Sequence, residues 1–178
     1  MAPSLFKLTL LALLLVAGPA GAPGTPPHND LALNISITTS EHSRDSNSEI
    51  TSLRVLGDML VYEHIYHGAR SARHQPVAKE FKLTNDDRTA LLRSLKEKNL
   101  LRTKTIMKSA DQRVTRDFAL SIRTKVSGRQ NTIAISAPRS AVELKNDPLY
   151  QASISFLTEL YKIIQRTDPD ITLHDLID

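Results

Sequence analysis

The chain has 178 residues, 23 of them Lys or Arg and 19 Asp or Glu, giving a formal charge of +4 and a pI near 9.4. It contains no cysteine and no tryptophan, which excludes disulfides, thiolate zinc sites, iron–sulfur clusters and thiol nucleophiles. Aromatic residues make up only 4%, so stacking platforms for bases or sugars are disfavoured, and nucleic acid with them.

The first expected element is a signal peptide over residues 1–20. Lys7 and the α-amino group precede an apolar run, Leu8–Ala17, and small residues at Gly18 and Ala20 suit cleavage after Ala20. The run is about half the ~20 residues that span a bilayer, so no transmembrane segment is expected in the mature chain. Loss of Lys7 with the leader lowers the charge from +4 to +3. The expected location is therefore secreted or periplasmic. Residues 21–30 continue a Pro/Gly-rich stretch in which Gly18–Pro27 holds four of the nine prolines; such a segment is a linker, not a core.

A single domain is expected over 31–166. Leu31, Leu33, Ile35 and Ile37 alternate with small or polar residues, the signature of a half-buried strand. Ser40–Glu49 reads as a polar loop. Ile50–Leu56 and Met59–His67 form a hairpin across Gly57-Asp58, a Gly-first turn. In the second arm Met59, Val61 and Ile65 share one face and Leu60, Tyr62 and Tyr66 the other, which predicts a central strand covered on both sides. After the basic loop Gly68–Gln75, Val77, Phe81 and Leu83 mark a fourth strand.

Thr84 followed by Asp87 forms a capping box, and Leu91, Leu92 and Leu95 give the ensuing helix its apolar stripe to about Asn99. Leu100–Gln112 fits neither period. Phe118, Leu120 and Ile122, a Ser127-Gly128 turn, and Ile133 with Ile135 predict a second hairpin. Asn146-Asp147-Pro148 opens the last helix, whose stripe runs from Leu149 through Phe156 and Leu160 to Ile164. Asp168-Pro169 stops it, leaving an acidic tail over 167–178. The order predicts an α+β fold: a mainly antiparallel sheet of hairpins with two amphipathic helices packed on one face.

Motifs for chemistry are sparse. After the linker only Gly57, Gly68 and Gly128 remain, so no glycine-rich phosphate loop exists and no nucleotide cofactor is expected. His64 and His67 suggest a metal pair with His74. Residues three apart on a strand point to opposite faces, however, so no metal site is expected. Glu63 beside His64 has the same defect, and local charge compensation accounts for Glu143 with Asp147. No serine elbow, HExxH helix or SxxK motif is present. Asn34-Ile35-Ser36 matches the N-glycosylation sequon, on the face opposite Leu33 and Ile35.

The charge is unevenly placed. Seven Lys/Arg residues lie between Arg88 and Lys108 against Glu97 alone, and Arg70, Arg73 and His74 form a second cluster. The candidate surface for an anionic partner is thus Arg70, Arg73, His74, Arg93, Lys96, Lys98, Arg102 and Lys104, if folding brings the clusters together. A solvated helix exterior accounts for the same charges otherwise.

The segments LRVLGDMLVYEHIYHG (53–68), VAKEFKLTNDDRTALLRSLKEKNLL (77–101) and DFALSIRTKV (117–126) resemble small secreted bacterial domains of unknown function. In element order the chain is also similar to the emfourin-type inhibitors of metallopeptidases. The resemblance covers turns and core positions over about Ile50–Gln165. It implies a bacterial envelope setting and carries no functional residue with it. The expectation is an exported, non-enzymatic domain that binds another protein, with a peptidase as one candidate partner. A basic-surface binder of anionic envelope polymers or lipids is the first alternative, and a hydrolase with a site assembled from scattered residues is the second.

Overall fold

The computed structural model describes residues 31–41, 47–107, 116–138 and 145–173. The expected leader, linker and acidic tail end, with His28, His42, His174, Lys108 and Glu143, lie outside the described residues. The strands are β1 (Ala32–Glu41), β2 (Asn47–Leu56), β3 (Met59–His67), β4 (Val77–Lys82), β5 (Lys104–Met107), β6 (Arg116–Val126) and β7 (Arg129–Pro138). The helices are α1 (Asn85–Glu97) and α2 (Pro148–Gln165), and a 3-10 turn spans Gly68–Ala72. The strands form one sheet in the order β4-β3-β2-β1-β6-β7-β5. Every described pairing is antiparallel except β5 with β7. The expected α+β architecture is the observed one.

Alternation decides which face is covered. Leu33 lies opposite Val55 and Thr124, and Ile35 opposite Leu53 and Ile122. All six are buried, so one apolar face runs through β2, β1 and β6 and continues into Ile133 and Ile135 of β7. Leu91 and Leu95 of α1 and Phe156, Leu157, Leu160 and Ile164 of α2 close over it in a single core. Among the described residues no helix is long and apolar enough to cross a membrane.

Both turns behave as their residues require. Gly57 has φ +64, while Ser127 and Gly128 have φ +49 and +78. Two consecutive positive φ angles are what a type I′ hairpin demands, and they match the twist of its arms. Thr84 and Asp87 complete the capping box reciprocally, and the Asp147 carboxylate caps α2 ahead of Pro148. Asp87 also accepts from Arg166 at the far end of α2 at 2.5 Å, while Lys98 beyond α1 meets Glu159 of α2 at 2.8 Å. From Asp87 forward to Lys98 along α1 the partners step back from Arg166 to Glu159 along α2, so the helices run in opposite directions.

Three expectations need correction. Within the ambiguous stretch after α1, Lys104–Met107 forms β5 and joins the sheet in parallel with β7; a four-residue edge strand is too short to show a period. The loop expected over Ser40–Glu49 is narrower, because β1 runs to Glu41 and β2 starts at Asn47. Finally, β3 is not central but next to the edge, and Ile65 on its second face is 36% exposed. Its β-branched residues favour extended backbone whether or not they are buried.

Candidate functional site

The described residues do not cover the helix-side face of the sheet to its end. At the β3–β4 corner a cleft of about 400 Å³ opens between β3, the loop after the 3-10 turn and the segment following α2. Its floor is Tyr62, His64 and Tyr66, every second residue of β3 and hence on one face. Arg73, His74 and Gln75 form one wall, Val77 and Lys79 the β4 rim, and Asp170, Ile171 and Thr172 the opposite wall.

The floor rings are ordered by contact. Tyr62 and His64 lie parallel with centroids 6.5 Å apart, His64 meets Tyr66 edge-on at 4.5 Å, and His74 stacks on Tyr66 at 4.5 Å. Such stacked and T-shaped geometries each add about 0.5–1.5 kcal/mol beyond burial. The far wall is held as well. Lys79 pairs with Asp168, the Gln165 side chain donates to the Ile171 carbonyl at 3.1 Å, and Ile171 is buried.

His64 is itself fixed from behind. It stands opposite Thr51 of β2, and His64 Nδ1 shares a 2.7 Å hydrogen bond with Thr51 Oγ1. Thr51 is fully buried, so its hydroxyl is beyond the reach of a substrate and orients the ring. Thr51→Val should therefore cost about 1–3 kcal/mol, because His64 Nδ1 would face a methyl group instead of a hydroxyl. Urea unfolding measures this, and a change below about 0.5 kcal/mol would remove the hydrogen bond from the account.

The three histidines weighed as metal ligands do not converge. His64 is buried in the cleft floor, His67 is exposed on the other face of β3, and His74 belongs to the wall. Among the described residues no group of three His, Asp or Glu side chains is placed to hold a metal ion. Glu63 also turns away from His64 and pairs with Arg54 at 2.8 Å.

Of the residues in the two basic clusters, Lys104 stands farthest across the sheet from the cleft. Arg73 and His74 wall the cleft, and Arg70 stands in the 3-10 turn just before them. Lys104 lies on β5 at the far edge of the sheet, five strand spacings or about 24 Å from β3. Arg93 and Lys96 are exposed on α1, and Arg102 on the link that follows. Lys98 is engaged with Glu159. Burial pushes the Glu159 carboxyl up, but hydrogen bonds from Lys98 and Ser94 and the charges of Lys98 and Lys162 together hold the group below its ordinary value. Asn34 is exposed on the open face, as its strand phase predicts.

Sequence reasoning missed the cleft as a site, although alternation already placed Tyr62 and Tyr66 on one face. His64 has the same parity. The missing information was the approach of Asp170–Thr172, about a hundred residues away in the chain. Compared with protein-family models and with curated proteins, the chain matches none.

Proposed function

We propose that this protein is a non-enzymatic binding domain, acting after export on another protein, and that it receives an extended segment of that partner along β4. The observation that carries the reading is the position of the cleft directly beside an edge strand. Leu83 N–H donates to the Asp58 carbonyl at 2.7 Å, which sets the phase of the β3–β4 ladder. Val77, Lys79 and Phe81 thus bond inward, and Ala78, Glu80 and Lys82 turn their main-chain groups to the free edge. A partner strand would pair with those groups and lay a side chain across Tyr66 and His74. Pro76, Lys79, Glu80 and Lys82 guard the edge against indiscriminate pairing. A peptidase as the partner rests on the resemblance in element order alone.

Selection from a phage-displayed random peptide library is expected to yield peptides that bind the protein. Glu80→Pro deletes one outward N–H without touching the β3 ladder, and Tyr66→Ala removes the ring. Each should weaken the selected peptides by about tenfold or more, the scale of a binding hot spot. Full affinity in both variants, or no peptide above background, would overturn the proposal.

A further inference from the structure

The second face of the sheet bears a different feature. A hollow of about 330 Å³ lies across β2, β1, β6 and β7, on the side away from the helices and from the cleft. Three of its lining residues are cations: Arg54, Arg123 and Lys125. Arg54 and Arg123 occupy one cross-strand row with Asn34 between them, so their backbones are two strand spacings, roughly 10 Å, apart. Lys125 is two residues beyond Arg123 on the same face. Arg54 and Arg123 flank Asn34 directly, and Lys125 stands diagonal to it, opposite Ala32.

Among the described residues no carboxylate lines this hollow. Arg54 engages Glu63 through a terminal nitrogen, whereas its buried Nε finds no hydrogen-bond partner among the described residues. Neither Arg123 nor Lys125 pairs with a carboxylate among the described residues. Of the remaining polar lining, Gln130 and Thr132 share the face of Lys125 and Arg123, while Thr124 and Asn131 pair on the opposite face. Leu56, 60% exposed, forms an apolar rim.

From this we infer that the open face binds a phosphate or sulfate ester carried on a hydroxyl-bearing molecule such as a sugar. The Arg123 fork and the Lys125 ammonium match the charge of a tetrahedral oxyanion, and such a fork binds it bidentately, while Arg54, paired with Glu63, adds donors beside them and little net charge. The neighbouring amides and hydroxyl suit the carrier, since they both donate and accept. A concave hollow selects a discrete group, where a flat membrane surface would meet its rim first. This anion site uses none of the basic residues between Arg70 and Lys104.

The test is a titration of the purified protein with glucose 6-phosphate, glucose 6-sulfate, glucose and inorganic phosphate, followed by backbone amide shifts and calorimetry. Saturable shifts at Asn34, Arg123 and Lys125 are expected with either ester and not with glucose, and the two ester arms distinguish phosphate from sulfate. Arg123→Gln should weaken binding by about tenfold, and Arg123→Lys by a smaller factor because charge stays while the fork is lost. Arg93→Gln with Lys96→Gln on α1 should leave it unchanged. The inference is overturned if no ester saturates these amides, if Arg123→Gln binds normally, or if the α1 variant loses affinity equally. Inorganic phosphate binding as tightly as both esters would overturn the role of the carrier. Glu80→Pro lies outside this hollow, so failure here and failure of the edge-strand reading are separable.

Discussion

Phe156→Ala is expected to destabilise the protein by about 3–5 kcal/mol, a large share of the ~5–15 kcal/mol that holds a domain folded. Phe156 lies in the middle of α2 and is fully buried, as are Leu157, Leu160 and Ile164 of the same helix and Leu95 of α1. Truncation removes the ring's own burial and leaves a cavity that a sheet on one side and a helix on the other cannot close. Without cysteine the domain has no cross-link to restrain its unfolded chain, so packing carries the stability. Urea unfolding should show a lower midpoint with an unchanged slope. Ser155→Ala, one residue away and exposed, should change stability by less than about 0.5 kcal/mol. Equal effects of the two would show that α2 does not present this face to the sheet.

Asp87→Ala is the second large effect, with an expected cost of about 2–3 kcal/mol at neutral pH. The carboxylate accepts from Thr84 N–H at 3.0 Å, from Thr84 Oγ1 at 2.8 Å and from Arg166 at 2.5 Å. Burial pushes this carboxyl up, but the Arg166 hydrogen bond, the two from Thr84 and the Arg166 charge together hold it below its ordinary value of 3.8. The Arg166 side chain is 58% exposed, so the ion pair itself is screened and the Thr84 bonds carry most of the effect.

The direction with pH follows. A folded value below the unfolded one means that folding favours the ionised form. This contribution is complete above the unfolded value near 3.8 and is lost as pH falls through the lower folded value. Stability of the native protein should therefore fall faster than that of Asp87→Asn below about pH 4, and the two curves should converge. A constant gap between them down to low pH would show that the Asp87 charge contributes nothing.

Local chemistry made much of the fold readable in advance. The β1 alternation, the Gly57 and Ser127-Gly128 turns, the Thr84–Asp87 box and the Asp147-Pro148 start each depend on residues within a few positions of one another. Strand phase also placed Asn34 outside, and His64 and His67 on opposite faces. What failed was short or distant. The β5 strand, Lys104–Met107, has too few residues for a period and gains its place by pairing with β7. The relative position of the basic clusters depended on strand order, which puts β4 and β5 at opposite edges although a single helix connects them.

Absence of cysteine and the glycine count excluded whole chemistries by themselves, because those chemistries need the residue types. Nearest-neighbour patterning then determined element type and which side chains point together. Only the tertiary structure decided the sites. The aromatic cleft needs Asp170–Thr172 beside β3, and the cationic hollow needs Arg54 and Arg123 on either side of Asn34. Arg54 and Arg123 are brought to one row by register between strands far apart in the chain, and the charge total of +4 contains no record of that register.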